Sequence, residues 1–182
     1  YELNHLQLRA IFIQPTVSFK ITENFGIGGG FVYNFGQVDL SRSLPIANTD
    51  GQPAQAQLTG VGTGMGFNVG VHYHLENEFA VSLSYRSKVV TKLRDGDAEF
   101  TVPAAVAASF PNTTFDAELP LPASFNLGLA FPVGEKVDIA ADATLIGYDI
   151  YKELVFDYQD NTPLLQDTRQ VKNYQNAFSG KV

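Results

Sequence analysis

The stretch 25-FGIGGGFVYNFGQV-38 decides the fold. Its odd positions run Phe25, Ile27, Gly29, Phe31, Tyr33, Phe35 and Gln37; its even positions run Gly26, Gly28, Gly30, Val32, Asn34, Gly36 and Val38. A period of two is that of a strand whose side chains alternate between two faces. One face is strongly apolar and the other is largely glycine. A soluble sheet normally solvates its second face with polar side chains, and glycine inside a strand is entropically weak. The glycines make sense where that face looks into a narrow or occupied space.

The same scheme recurs along the chain. In 65-MGFNVGVHYHL-75, Met65, Phe67, Val69, Val71, Tyr73 and Leu75 oppose Gly66, Asn68, Gly70, His72 and His74. In 79-FAVSLSYRSKV-89, Phe79, Val81, Leu83, Tyr85 and Val89 are expected to oppose Ala80, Ser82, Ser84, Arg86 and Lys88. In 119-LPLPASFNLGLAF-131, Leu119, Leu121, Phe125, Leu127, Leu129 and Phe131 are expected to share one face; 137-VDIAADATL-145 carries Asp138 and Asp142 on its polar side. Strands are expected at about 5–20, 25–41, 64–75, 78–92, 118–131, 136–156 and 170–182, the first interrupted by Pro15.

The connections alternate in length. Those at 20–24, 75–77 and 132–136 are short, whereas those at about 42–63, 93–117 and 157–169 are long. In an up-and-down meander, alternate connections lie at opposite ends of the sheet, so one end carries tight turns and the other long loops, as in an outer-membrane barrel. Phe19, Phe25, Tyr73, Phe79 and Phe131 fall beside the short turns, and Tyr33, Phe35 and Tyr85 lie further up. The rise from Phe25 to Tyr33, roughly 20 Å at the usual tilt, approaches the ~25 Å apolar band flanked by aromatic girdles. A soluble β-sandwich explains neither the one-sided loops nor the aromatic row.

Composition agrees. The 182 residues are 45% hydrophobic and 17% charged, with no run of the ~18 apolar residues that a spanning helix needs. The net charge of −7 argues against nucleic acid as a partner. There is no cysteine, hence no disulfide and no thiolate metal site. His72 and His74 share a face without a third ligand nearby, so no metal is expected. No nucleophile–base pattern or phosphate loop stands out, and 26-GIGGG-30 lies within a strand rather than before a helix, so neither enzyme chemistry nor a cofactor is expected. Residue 1 is Tyr, and 170-QVKNYQNAFSGKV-182 reads as a strand cut in mid-course. An open set of seven strands would leave bare edges that no membrane tolerates. Residues 1–182 are therefore expected to be part of a transmembrane β-barrel domain belonging to a longer protein.

Specific runs suggest a family. The segment 24-NFGIGGGFVYNFGQVDLSRSLP-45 resembles the strand after a short periplasmic turn in FadL/TodX-type outer-membrane transporters of long-chain fatty acids and other hydrophobic compounds. The hairpin 65–100, with its "YRSKV", and the hairpin formed by 118–131 and 136–158 look like the ones that follow. The resemblance implies a barrel of about 14 strands in a Gram-negative outer membrane, contacting lipid and lipopolysaccharide and acting as a monomer. It implies passive capture of cargo by apolar extracellular loops, transfer into the barrel and sideways release. The plug and the gate in a kinked early strand would lie before residue 1. A barrel enzyme of lipase or protease type, or an adhesive barrel, is the alternative.

The apolar loop residues Leu44, Ile46, Leu58 and Val61, with Val106, Phe110 and Phe115 in and after 102-VPAAVAASFP-111, form either a cargo groove or a packed cap. The segment 102–111 is helix-compatible between its prolines. Arg42 stands near the place of the family's ligand-binding basic residue. Arg86 and Lys88 could hold a carboxylate or join a lumen salt-bridge network with Asp138 and Asp142. Gly26, Gly28 and Gly30 are expected to face the lumen and leave room there for a plug or substrate.

Overall fold

A computed structural model describes residues 3–47, 51–75, 78–134 and 136–182. Twelve strands form one antiparallel sheet. They are β1 (Leu3–Ile13), β2 (Thr16–Lys20), β3 (Phe25–Ala47), β4 (Pro53–His74), β5 (Ala80–Arg86), β6 (Val89–Thr101), β7 (Thr113–Leu121), β8 (Ser124–Val133), β9 (Val137–Ile146), β10 (Glu153–Tyr158), β11 (Thr168–Val171) and β12 (Ala177–Lys181). They align end to end into seven staves: β1 with β2, β3, β4, β5 with β6, β7 with β8, β9 with β10, and β11 with β12. Each stave pairs with the next in chain order, and among the described residues the first and last do not pair. The meander is the one read from the alternation.

The staves run further than the alternation suggested. Much of 42–63 is strand, because β3 and β4 stay in register from Phe25↔Tyr73 to Ser43↔Gln55. Most of 93–117 is likewise the paired β6 and β7. Segment 102–111 is not a helix beyond the three-residue 3-10 turn Ala107–Ser109. The 75–77 and 132–136 turns and the 42–63 loop include Glu76, Asn77, Glu135 and residues 48–50, which lie outside the described residues.

Five staves break at one height, and only β3 and β4 run through it. The breaks fall at 14–15, 87–88, 122–123, 147–152 and 172–176. Below that height the outer face is apolar and open: Ile27, Phe31, Phe67, Val69, Leu83, Phe125 and Leu127 are all exposed. Aromatic rings line it, with Phe25–Tyr73 and Phe79–Phe131 pairs near the short turns and Phe67–Tyr85–Phe125 higher up. From Phe25 to Phe35 the tilted rise is about 26 Å, the height of a bilayer's apolar band. Above it the core is inside, around Val38, Leu58, Leu93, Ala117 and Phe156, and the outer face carries the ion pairs Lys92–Glu118, Arg94–Asp116 and Arg169–Glu153.

In staves 4 and 5 two bulges perform this exchange, whereas in β3 and β4, which stay in register, the residue class on each face changes instead. Adding one residue to a strand swaps its faces. Tyr85 lies on the outer face with Val69 and Phe125, but Val89, an even number of residues on, is buried over Gly64 and Gly66 on the inner one. The expected grouping of Val89 with Tyr85 is therefore corrected. The same holds for Leu119 and Leu121, which pair with the inward Thr91 and Val89. At the bulge, the Phe67 N–H donates to Ser87 Oγ and the Ser87 N–H to the Phe67 carbonyl, both at 2.9 Å. A serine hydroxyl thus replaces the missing backbone acceptor.

The glycines answer to close approach more than to open space. A Cβ on Gly30 would stand 2.3 Å from the Pro15 carbonyl oxygen, and one on Gly62 2.5 Å from that of Lys92. Stave 4 has folded inward over a glycine floor in β4, which side chains would hold off. Gly26, by contrast, meets only the Phe19 carbonyl at 3.7 Å, so open space accounts for it alone among the three.

The chain has no tryptophan. In the full-length protein with any tryptophan outside residues 1–182 replaced by phenylalanine, a Phe67→Trp variant in brominated-lipid vesicles is expected to show strong quenching, and Gln57→Trp none. Equal quenching of the two would contradict the band.

Candidate functional site

The inward fold of stave 4 gives the interior a waist. The Thr91 hydroxyl donates to Asn34 Oδ1 at 2.6 Å, reaching from β6 to β3 across the intervening glycines of β4. Asn34 Nδ2 donates in turn to the Ile11 carbonyl at 3.4 Å. Val32, Asn34, Val89 and Thr91 are all 0–2% exposed. The buried amide–hydroxyl pair satisfies groups that would otherwise cost about 1–3 kcal/mol each.

Below the waist lies a space of about 750 Å³ whose border mixes Thr16, Ser18, Asn68, Ser84, Arg86 and Asn126 with Phe19, Ile27, Val69 and Leu83. Above it lies an apolar chamber of about 440 Å³, lined by Leu8, Val38, Leu40, Leu58, Leu154 and Phe156. Arg42 and Tyr158 line this chamber too. Among the described residues, Arg42 Nε and Tyr158 Oη are buried and make no hydrogen bond of ordinary geometry, although Thr168 lies close enough to act on the Tyr158 hydroxyl. Tyr158 is 2% exposed; burial pushes its hydroxyl above the ordinary tyrosine value, with the Arg42 charge opposing. Two such polar atoms in an apolar chamber fit a ligand with a greasy body and a polar head. An aromatic roof of Phe100, Phe110, Phe115, Phe156 and Tyr158 covers the adjoining core.

The expected site residues divide. Arg42 and Leu58 line the chamber; Leu44 and Phe115 are buried in the core beside it, and Ile46 and Phe110 pack against that core. Leu44 and Phe115 thus behave as packed cap. Val61 is 54% exposed and pairs with Gln37 on the outer face, so it is turned away from the chamber. Val106 caps the short 3-10 turn and is half-buried outside the core cluster. Arg86 belongs to the space below, where it donates to Gln14 Oε1 at 2.8 Å and lies 6.0 Å over the Phe12 ring. Lys88, between the buried Ser87 and Val89, is exposed on the opposite face. Among the described residues neither cation pairs with Asp138 or Asp142, because the bulge carries Lys88 away and Gln14 engages Arg86. Tyr158, Leu154 and Phe156 are the contributors that sequence reasoning missed. Their signal was the alternation 153-ELVFDY-158, whose apolar members sit opposite Glu153 and Asp157.

Comparison with known proteins agrees with this architecture. The family model described as outer membrane protein transport protein (OMPP1/FadL/TodX) matches residues 3–180. No curated protein matches the chain by sequence. A Pseudomonas aeruginosa FadL homologue superposes with a TM-score of 0.76 at 16% identity, covering 95% of this chain and 45% of the other. The Ralstonia pickettii toluene transporter TbuX gives 0.74 at 12%, covering 96% and 51%. The CymD monoaromatic hydrocarbon channel gives 0.66 at 15%, covering 96% and 54%. The chain thus spans about half the length of these structures.

Because the Tyr158 hydroxyl is buried and makes no hydrogen bond of ordinary geometry among the described residues, Tyr158→Phe is expected to leave thermal stability unchanged or raise it slightly. Phe115→Ala, which empties the roof, is expected to cost about 3–5 kcal/mol. Thermal or denaturant unfolding of the full-length protein checks both.

Proposed function

Because this chain belongs to the outer membrane protein transport family (OMPP1/FadL/TodX), we propose that it forms part of the wall of a passive outer-membrane channel for hydrophobic molecules. Residues 1–182 are read as one partial barrel domain of that channel, a monomer, with its apolar outer band in lipid and its charged upper face among lipopolysaccharide headgroups. The upper chamber is its cargo site. The observation that carries this reading is the pairing of an apolar cavity with the buried Arg42 Nε, unpartnered among the described residues, and the buried Tyr158 hydroxyl.

The physics of such a site is simple. Each CH₂ group moved from water into the chamber gains about 0.8 kcal/mol, whatever its position along the chain. That binding has no direction and accepts many apolar cargoes. A head group then adds discrimination. A carboxylate beside Arg42 forms a charge-assisted hydrogen bond and fills an unmet demand of the protein at the same time. We therefore take the cargo to be a long-chain fatty acid rather than a plain hydrocarbon. The names of the similar solved structures include toluene and monoaromatic hydrocarbons, which share only the apolar requirement. The wall works by binding and positioning, with no bond made or broken.

Uptake of labelled oleate by a transporter-deficient strain carrying the full-length gene is expected, and its absence would refute the reading. Arg42→Gln is expected to weaken oleate binding by about tenfold or more, since hydrogen bonds to charged groups are worth roughly 1.5–3 kcal/mol. Toluene binding is expected to stay unchanged in the same variant.

A further inference from the structure

The run 168-TRQVK-172 brings a second cation to the chamber wall. Pairing sets Thr168 beside Phe156 and Gln170 beside Leu154, so Thr168, Gln170 and Lys172 face inward while Arg169 and Val171 face outward. The two cations of this run differ in their partners. Arg169 is paired with Glu153 at 3.5 Å. Lys172 is half-buried and, among the described residues, forms no ion pair. Its backbone is fixed in place. The Lys172 N–H donates to the Lys152 carbonyl at 2.7 Å, and the Asn173 N–H donates to the same oxygen at 3.1 Å. The chain then turns sharply, with Asn173 in the left-handed region at φ 46°.

Lys172 and Gln170 line the apolar chamber together with Tyr151. The Tyr174 ring meets that of Tyr151 edge-on, with centroids 5.3 Å apart, and supports it there. Glu118 is the other charged group of the lining besides Arg42, and it does not neutralise Lys172. Its carboxylate is engaged by Lys92 at 3.7 Å and Arg94 at 3.4 Å on the outer face.

The chamber thus has two polar poles with an apolar stretch between them. At the upper pole, Arg42 and Thr168 both act on the Tyr158 hydroxyl. At the lower pole, Lys172 stands with Gln170 and Tyr151. Lys172 is four residues beyond Thr168 on the same strand face, roughly 13 Å along the strand. Leu154 and Phe156 lie between the poles. A zigzag of about ten C–C bonds of ~1.5 Å covers that length. An ammonium held against apolar side chains loses hydration, and a carboxylate at the far end of a cargo restores the lost contact. A monocarboxylate anchored at Arg42 lays only a methyl end beside Lys172.

We propose that the chamber takes two-headed amphiphiles, α,ω-dicarboxylates of about twelve carbons, with one carboxylate at Arg42 and the other at Lys172. This rests on the chamber reading above and extends its cargo class. Lys172 is the residue that sets the preference for a second head, and Gln170 and Tyr151 supply neutral donors beside it.

Binding of radiolabelled dodecanedioate and dodecanoate to the full-length protein in a nonionic detergent tests the proposal. The wild-type protein is expected to bind dodecanedioate at least as tightly as dodecanoate, although a second charge is costly to bring into an apolar site. Lys172→Gln is expected to lower the ratio of dodecanedioate to dodecanoate affinity by about tenfold or more, and Lys172→Arg to hold it within about threefold. Arg42→Gln is expected to weaken both ligands. A ratio that Lys172→Gln leaves within about threefold, or a wild-type protein that binds dodecanoate and excludes dodecanedioate, overturns the second pole. Failure of the wild-type protein to bind dodecanoate and oleate alike overturns the chamber reading instead.

Discussion

A wall that stands partly in hydrocarbon and partly in water has to exchange its faces at the boundary. In the bilayer, side chains facing outward must be apolar, and every backbone group needs a partner within the sheet. Above the bilayer the outward face must be polar, and apolar residues serve only inside. β3 and β4 keep regular alternation and change the residue class on each face, Phe31 and Phe35 giving way outside to Gln37 and Asp39, and Gly28 and Gly30 giving way inside to Val38 and Leu40. Staves 4 and 5 instead meet this demand with bulges at 87–88 and 122–123, which turn Val89 and Leu121 inward where Tyr85 and Phe125 point out.

The remaining features depend on that exchange. Turning staves 4 and 5 inward brings β6 over β4, and only glycine lets the backbones come so close. The contact makes the waist, where Thr91 and Asn34 meet. The waist divides the interior into an apolar chamber above and a space of mixed lining below. Stave 5 bends with stave 4 but stave 6 does not keep register with it, as the shift from Ser124↔Ile146 to Ala117↔Phe156 records. Chamber and waist thus share one cause.

Inside the chamber, energetics favour a particular kind of occupant. Apolar lining gives affinity without selectivity, whereas Arg42 and Tyr158 present buried polar atoms that make no hydrogen bond of ordinary geometry among the described residues. Leaving such atoms unpaired has a cost that a well-shaped core would avoid. Their place beside a cavity is what the proposed head-group contact rests on. The packed roof around Phe115 shows what the same apolar composition does where no cavity is kept.

By itself the sequence determined the meander, the lipid-facing stripe and the ends of the staves near the short turns. Those follow from a period of two read along 25–38, 65–75 and 119–131, a local property that burial on one face enforces. Arg42 and Leu58 could be picked out as candidates, Arg42 from the resemblance and Leu58 as an apolar residue of an expected loop, but that they border one chamber follows only from the pairing of β3 with β4. The exchange of faces was not legible, because one added residue in "YRSKV" leaves composition and hydropathy unchanged while reversing everything after it. Hence Lys88 and Val89 landed opposite to expectation, while Val61, expected in a loop, lies on the outer face of the unbroken β4. Which glycines face open space and which lie under another strand was likewise decided only when staves distant in sequence came together. Pairing register is a relation between strands, and no single strand carries it.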